Sequence, residues 1–278
     1  MYFISCIKEN HYYRYIIMYK TFLRLRKSLL KKFGLKIVPI ENNSLNYLYP
    51  EATDSEINLV ETASKFSMTG HDRIFCLLRA IQHVDCNNLE GDFVECGVWK
   101  GGNLILFKKM IDKLKIKNKK VYGFDTFEGM SNPTEKDEDA DGFLGGFKAE
   151  YYMRTHKKDI NIDNIHAYSP IEAVEKNLIN SAIDKDSLVL VKGKVEDTLK
   201  ISSNIPEKIS ILRLDTDWYE STKIELEILY PRLVKNGVLI IDDYGEWSGS
   251  RAATNEYFKD KKISMFKIDR GARLIFKP

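Results

Sequence analysis

Short apolar runs alternate along this chain with longer segments whose apolar residues recur every three or four positions. The runs DFVECG (92–97), KVYGFD (120–125), SLVLVKG (187–193), ISILRLD (209–215) and GVLIIDD (237–243) are rich in Val, Ile and Leu. That is the pattern of strands buried on both faces of a parallel sheet. Between them, His71 to His83 reads as a helix with Ile74, Leu77, Leu78 and Ile81 on one face. A second helix starts near Gly102 with Ile105, Leu106, Met110 and Ile111, and further helices are expected near 170–181, 220–233 and 250–259. Two closing strands, 263–269 and 273–278, are joined by a turn for which Gly271 is suited. The rhythm predicts a doubly wound α/β fold with a seven-stranded mixed sheet ending in an antiparallel hairpin.

The first forty residues break that rhythm. From about Tyr12 to Phe33, Ile16, Tyr19, Leu23 and Leu30 repeat at helical spacing among Arg24, Lys27 and Lys31, and Gly34 is a helix stop. Residues 1–40 hold nine Lys/Arg against Glu9, a local balance of +8 that leaves the rest at −5 in a chain of net +3. One reading is an amphipathic helix for peripheral membrane contact or a partner; the other is a helix packed on its own body or on a neighbouring subunit of a homo-oligomer. The polar stretch 41–56 marks the join, so the expected division is an arm and linker over 1–50 and a catalytic domain over 51–278. Because the body is mildly acidic, nucleic acid is not an expected partner.

A length of 278 residues with 44% hydrophobic and 30% charged residues suits one globular α/β domain with an extension. No apolar stretch reaches the roughly 18 residues of a membrane span. Cys6, Cys76, Cys86 and Cys96 form no CxxC pair or zinc spacing, and Lys8, Glu9 and Arg14 interrupt any signal-peptide core. The expectation is a reduced, cytoplasmic protein, at the inner membrane face if the arm binds lipid.

In an open α/β sheet the ligand site lies beyond the carboxyl ends of the strands. Four of the five main runs end there in carboxylates: Glu95, Asp125, Asp215 with Asp217, and Asp242 with Asp243. Such a crowd of like charge needs a cation or hydroxyl donors to offset it. The turn Gly97-Val98-Trp99-Lys100-Gly101-Gly102 lets backbone approach a ligand but lacks the dinucleotide G-x-G-x-x-G spacing. With Asp125 placed where an acid commonly holds ribose hydroxyls, it points to an adenosine-containing cofactor. Asp215, Asp242 and Asp243, with no His or Cys beside them, suit a hard cation such as Mg2+. The acidic stretch 135–141 reads either as a lid or as a solvated loop.

Seven segments, in order, resemble the macrocin O-methyltransferase family: FSMTGHDRIFCLLRAI, GDFVECGVWKGGN, VYGFDTFEGM, VKGKVEDTL, LRLDTDWYESTKIELEILYPRL, GVLIIDDYGEWSGSRAATNEYF and KIDRGARLIFKP. They cover roughly residues 60–278. The resemblance implies a Rossmann-like class I methyltransferase fold and transfer of a methyl group from S-adenosylmethionine to a sugar hydroxyl with magnesium. It implies that Met68, Thr69, Glu95, Gly97, Gly101, Asp125, Glu196 and Asp215 line the cofactor pocket, with Glu196 near the adenine. Asp215, Asp242 and Asp243 match the metal ligands, and Asp217 the general base. Trp218 stands where an aliphatic residue is expected, and Gly70-His71 replaces a Ser-Pro-like pair. The competing expectations are a catechol-like acceptor and an inactive glycan-assembly scaffold.

Overall fold

In the computed structural model the described residues are 45–138, 149, 153, 167–184 and 186–278. The amphipathic segment expected over 12–33 and its stop at Gly34 lie outside them. The short helix α1 (Leu45–Leu48) is followed by α2 (Asp54–Ser64). A capping box starts α2: Thr53 N donates to Glu56 Oε2 at 2.8 Å and Glu56 N donates to Thr53 Oγ1 at 3.3 Å.

Residues 58–278 form one compact unit. Its elements run α3 (His71–Cys86), β1 (Asp92–Cys96), α4 (Gly102–Leu114), β2 (Val121–Asp125), α5 (Ile171–Asn180) and β3 (Leu188–Lys192). They continue with α6 (Val195–Thr198), β4 (Ile209–Leu214), α7 (Tyr219–Ile228), β5 (Leu233–Ile241), α8 (Ser248–Phe258), β6 (Met265–Lys267) and β7 (Arg273–Phe276). The strands form one seven-stranded sheet in the order β3-β2-β1-β4-β5-β7-β6. β1 to β5 pair in parallel, while β7 runs antiparallel to both β5 and β6. This is the mixed doubly wound sheet that the apolar rhythm predicts.

Parallel pairing puts the carboxyl ends of β1 to β5 on one rim. The most central strand, β4, is buried at every position, including Ile209, Ile211, Leu212 and Leu214. Each fully buried aliphatic side chain of that kind contributes about 1.5–3 kcal/mol. β1 and β4 are in register over Val94–Leu212 and Cys96–Leu214, which aligns their ends.

Several boundaries depart from the expected ones, most of all those around Pro231. The helix predicted over 220–233 ends at Ile228, and Tyr230–Arg232 forms a separate 3-10 turn. Pro231 has no N–H to continue the helix and disfavours helical backbone at Tyr230. The last sheet strand of the parallel set therefore begins early, at Leu233, and Asp242 and Asp243 sit just beyond its end rather than within it. Among the described residues no helix is long and apolar enough to cross a membrane.

Candidate cofactor and metal site

A cavity of about 500 Å³ opens at the carboxyl rim. Its wall carries seven carboxylates against two cations, Arg73 and Lys194. One half is built by the turn after β1, the end of β2 and the 193–196 segment; the other by the ends of β4 and β5.

The turn after β1 is held by Asp125. Its Oδ2 accepts from Val98 N at 2.7 Å and Trp99 N at 2.9 Å, and its Oδ1 accepts from Phe127 N at 2.7 Å. Trp99 and Phe127 both sit in the left-handed region, at φ 47° and 53°. Gly97, at φ 88°, could not be replaced without driving a Cβ into the Asp215 carbonyl oxygen. Gly102 closes the arrangement from behind, its N–H donating to Phe66 O at 3.0 Å where a Cβ would meet the backbone of Ala63 and Phe66. That contact brings the 66–69 segment, including Met68 and Thr69, to the cavity wall.

Of the expected cofactor residues, Met68, Thr69, Gly97, Asp125, Glu196 and Asp215 line the cavity. Glu95 and Gly101 are not among the residues that line it. Gly101 faces Val174 of α5 instead. Glu95 is buried beneath the floor, where its Oε1 accepts from Asn103 Nδ2 and Arg213 Nη1, both at 2.8 Å, and its Oε2 has no partner. Burial pushes its carboxyl up to about 7, against the pull of Arg213.

Asp215, Asp242 and Asp243 each present an oxygen within 4.8 Å of the others. The sequence reading demanded something to offset their repulsion, and the chain supplies part of it from two arginines that this reading missed. Arg213, 1% exposed near the carboxyl end of β4, donates to Glu95 Oε1, to Asp215 Oδ2 at 2.7 Å, to Asp242 Oδ1 at 2.6 Å and to Thr69 Oγ1 at 2.8 Å. Burial works against its charge, yet Asp215, Asp242 and Glu95 hold its pKa above the ordinary value. Arg73 of α3 donates to Asp242, Glu246 and Asp269. A Cβ at Gly271 would run into the tips of the Arg73 and Glu246 side chains, so a larger residue there would have to displace this clasp.

Asp217 and Asp243 have no cationic partner among the described residues. Asp243 Oδ2 accepts from Asp217 N at 3.1 Å, and Asp217 itself is held at φ 67°. Burial, followed by mutual repulsion within the aspartate group, pushes both carboxyls well above the usual carboxylate range. The same causes, offset by Arg213, bring Asp215 up to about 7. The Trp247 indole N–H donates to Asp217, and Trp247 packs edge-on against Trp218 with ring centres 4.9 Å apart. Trp218 is buried, its indole N–H donating to Ser131 O at 2.9 Å, so it braces the wall from behind rather than lining it.

The acidic stretch after β2 is tied down over its described part. Asp137 is buried, accepting from Thr134 N and Thr134 Oγ1 with Oδ2 and from Tyr219 N with Oδ1. Ser248 reinforces this, its N–H donating to Glu138 O at 2.8 Å. Up to Glu138 the stretch is an exposed loop anchored through buried Asp137 and the Glu138 carbonyl to the starts of α7 and α8; residues 139–141 lie outside the described residues.

These groups fit the ligands the resemblance implies. Three carboxylate oxygens from two neighbouring strand ends, without His or Cys, are a donor set for a hard divalent cation. The other half combines Phe124, Trp99 and Val195 with Asp125 and Glu196, apolar surface for a base beside acceptors for hydroxyls and a positive charge.

The family model for macrocin O-methyltransferase matches residues 58–275. The demethyldecarbamoylnovobiocin O-methyltransferase of Streptomyces niveus is 30% identical over 210 residues, 75% of this chain and 74% of that protein. A tetracenomycin enzyme of Streptomyces olivaceus, the 8-demethyl-8-(2,3-dimethoxy-alpha-L-rhamnosyl)-tetracenomycin-C 4'-O-methyltransferase, is 27% identical over 239 residues, 85% of this chain and 84% of that one. Among solved structures, the O-methyltransferase NovP superposes with a TM-score of 0.65 at 28% identity, covering 76% of this chain and 82% of its own.

Proposed function

The chain belongs to the macrocin O-methyltransferase family, and on that premise we propose that it transfers a methyl group from S-adenosylmethionine to a hydroxyl of a sugar-containing acceptor, with the aid of a magnesium ion. The observation that carries the reading is the cavity's two halves: a tight turn with Asp125 and Glu196 on one side, and Asp215, Asp242 and Asp243 within 4.8 Å of one another on the other. Its relatives' names supply the acceptor class, since the Streptomyces olivaceus enzyme is named for a rhamnosyl group.

The reaction is an in-line displacement: the acceptor oxygen forms a bond to the methyl carbon as the carbon–sulfur bond breaks, and the hydroxyl proton leaves. S-adenosylmethionine supplies the electrophilic methyl. Bound by Asp215, Asp242 and Asp243, magnesium would lower the acceptor hydroxyl's pKa and orient it. Asp217 is the group proposed to take the proton. The Trp247 N–H and the Asp243 carboxylate fix Asp217 from both ends. Arg213 and Arg73 hold Asp215 and Asp242 in place before any ion arrives. Alignment of the two reactants supplies much of the remaining acceleration. We assign the ribose to Asp125 and the adenine end to Glu196. Residues 1–50 are proposed to be an extension separate from the catalytic domain.

Calorimetry with S-adenosylhomocysteine tests the cofactor, and methyl transfer to parallel panels of deoxysugar glycosides and catechols tests the acceptor. The expected result is binding, with turnover on the sugar panel that EDTA abolishes and magnesium restores. Absence of binding, or turnover confined to catechols, overturns the proposal.

A further inference from the structure

Helix α7 turns Tyr219, Thr222, Glu225 and Leu226 inward, so Glu225 occupies a position where the spacing calls for an apolar side chain. It is 0% exposed. Among the described residues no lysine, arginine or histidine pairs with it. The charged groups bearing on it are Glu196 from α6 and Asp215 from the end of β4, both acidic, and Cys96 at the end of β1 donates its thiol hydrogen to it. A buried carboxylate without a counter-charge takes up a proton rather than bear the cost of desolvation. Burial, aided by Glu196 and Asp215 and opposed by the Thr216 and Cys96 hydrogen bonds, pushes Glu225 well above the usual carboxylate range.

A carboxylic acid carries a proton that needs an acceptor. The Thr216 hydroxyl oxygen lies 3.0 Å and 3.1 Å from the two Glu225 oxygens. The Cys96 thiol already donates to the carboxyl, which leaves Thr216 Oγ1 to receive the acid proton. Thr216 lines the cavity between Asp215 and Asp217. With its lone pair engaged by Glu225, its own hydroxyl proton is free to turn toward the cavity. A neutral donor there answers a need, because the wall is dominated by carboxylates that repel any ligand oxygen bearing negative charge.

We propose that Glu225 is a positioning residue: an uncharged carboxylic acid behind the wall that orients the Thr216 hydroxyl as a hydrogen-bond donor to an oxygen of the bound cofactor. This rests on the cofactor reading above. Full-length protein would be titrated with S-adenosylhomocysteine as wild type, Glu225→Gln, Glu225→Leu, Thr216→Val and the Glu225→Leu/Thr216→Val double variant. Glu225→Gln, whose amide also donates to Thr216 and accepts from Cys96, should bind within about twofold of wild type. Glu225→Leu and Thr216→Val should each bind about tenfold more weakly, the size of one lost hydrogen bond. The double variant should be no worse than either, because both changes remove one arrangement. The infrared difference between wild type and Glu225→Gln at neutral pH should show the carbonyl stretch of a protonated carboxyl.

Wild-type affinity in Thr216→Val, or a Glu225→Gln protein as weak as Glu225→Leu, overturns the proposal. So does an infrared difference showing only carboxylate. If Glu225→Leu does not fold, Thr216→Val and Glu225→Gln still decide it. Failure of the wild type to bind S-adenosylhomocysteine would instead bring down the cofactor reading, and the infrared difference would report the protonation of Glu225 regardless.

Discussion

Replacing Asp125 by alanine removes a carboxylate on which three backbone N–H groups converge, from Val98, Trp99 and Phe127. Hydrogen bonds to a charged group contribute about 1.5–3 kcal/mol each, and because Asp125 is only half-buried the lower figure applies, for about 4–5 kcal/mol in all. Part is returned on mutation, since Trp99 and Phe127 can leave the left-handed region, where each residue costs about 1–3 kcal/mol. Partial relief of both brings the net loss to about 2–3 kcal/mol. For a chain of this size that corresponds to a fall in melting temperature of about 4–12 °C. Differential scanning calorimetry would measure it, with S-adenosylhomocysteine titrated in parallel, because the freed turn carries Gly97 and Trp99 of the cavity wall. Asp125→Asn, which keeps one carbonyl oxygen, should fall between wild type and alanine. A shift under about 2 °C together with unchanged affinity would refute the idea that this carboxylate holds the turn.

Asp243→Asn relieves repulsion among Asp217, Asp215 and Asp242 without orphaning an arginine, so thermal stability should hold or rise while magnesium affinity by calorimetry and turnover both drop. Asp217→Asn should bind S-adenosylhomocysteine like wild type and lose about 10²–10⁴-fold in turnover, the range for a missing general base; a smaller loss would remove it from that role. Lys119, whose ammonium donates to Leu89 O, Gly91 O and Ser210 Oγ, is lowered to about 8 by burial. Raising the pH through about 8 therefore deprotonates it in the folded state before the unfolded, so stability relative to Lys119→Met should grow toward pH 10, as read from denaturant unfolding at each pH. Deleting residues 1–40 should leave S-adenosylhomocysteine affinity within about twofold, since the family match begins at residue 58; loss of binding would contradict the proposed division of the chain.

The strands were legible because a parallel sheet buried on both faces leaves continuous apolar runs, and the rim was legible because those runs end in acids. Arg213 was not. It interrupts ISILRLD, and a lone arginine in a strand declares that it must be paired but not with what. Its partners Glu95, Thr69 and Asp242 lie 118, 144 and 29 residues away, separations no local pattern reports. Asp125 was found for its place at a strand end, yet its bonds to the glycine turn depend on β1 and β2 lying side by side. Glu225 was hidden by ordinary composition: ELE reads as a solvated helix face until α7 is seen to turn its first glutamate inward. The same holds for Asp137, one acid among several in a polar stretch, which folding singles out by capping α7.

Asp269 comes late in the chain, in the turn before the final strand, and it clasps Arg73, which in turn grips Asp242. During synthesis every other part of the rim emerges before this clasp exists. A chain halted just short of Asp269 has its glycine turn, its aspartates and both arginines, but Arg73 lacks one of its three carboxylate anchors and β7 is missing from its place between β5 and β6. The turn and strand that complete the site also complete the sheet, so an unfinished chain in this order of assembly holds the rim's residues without the frame that fixes them.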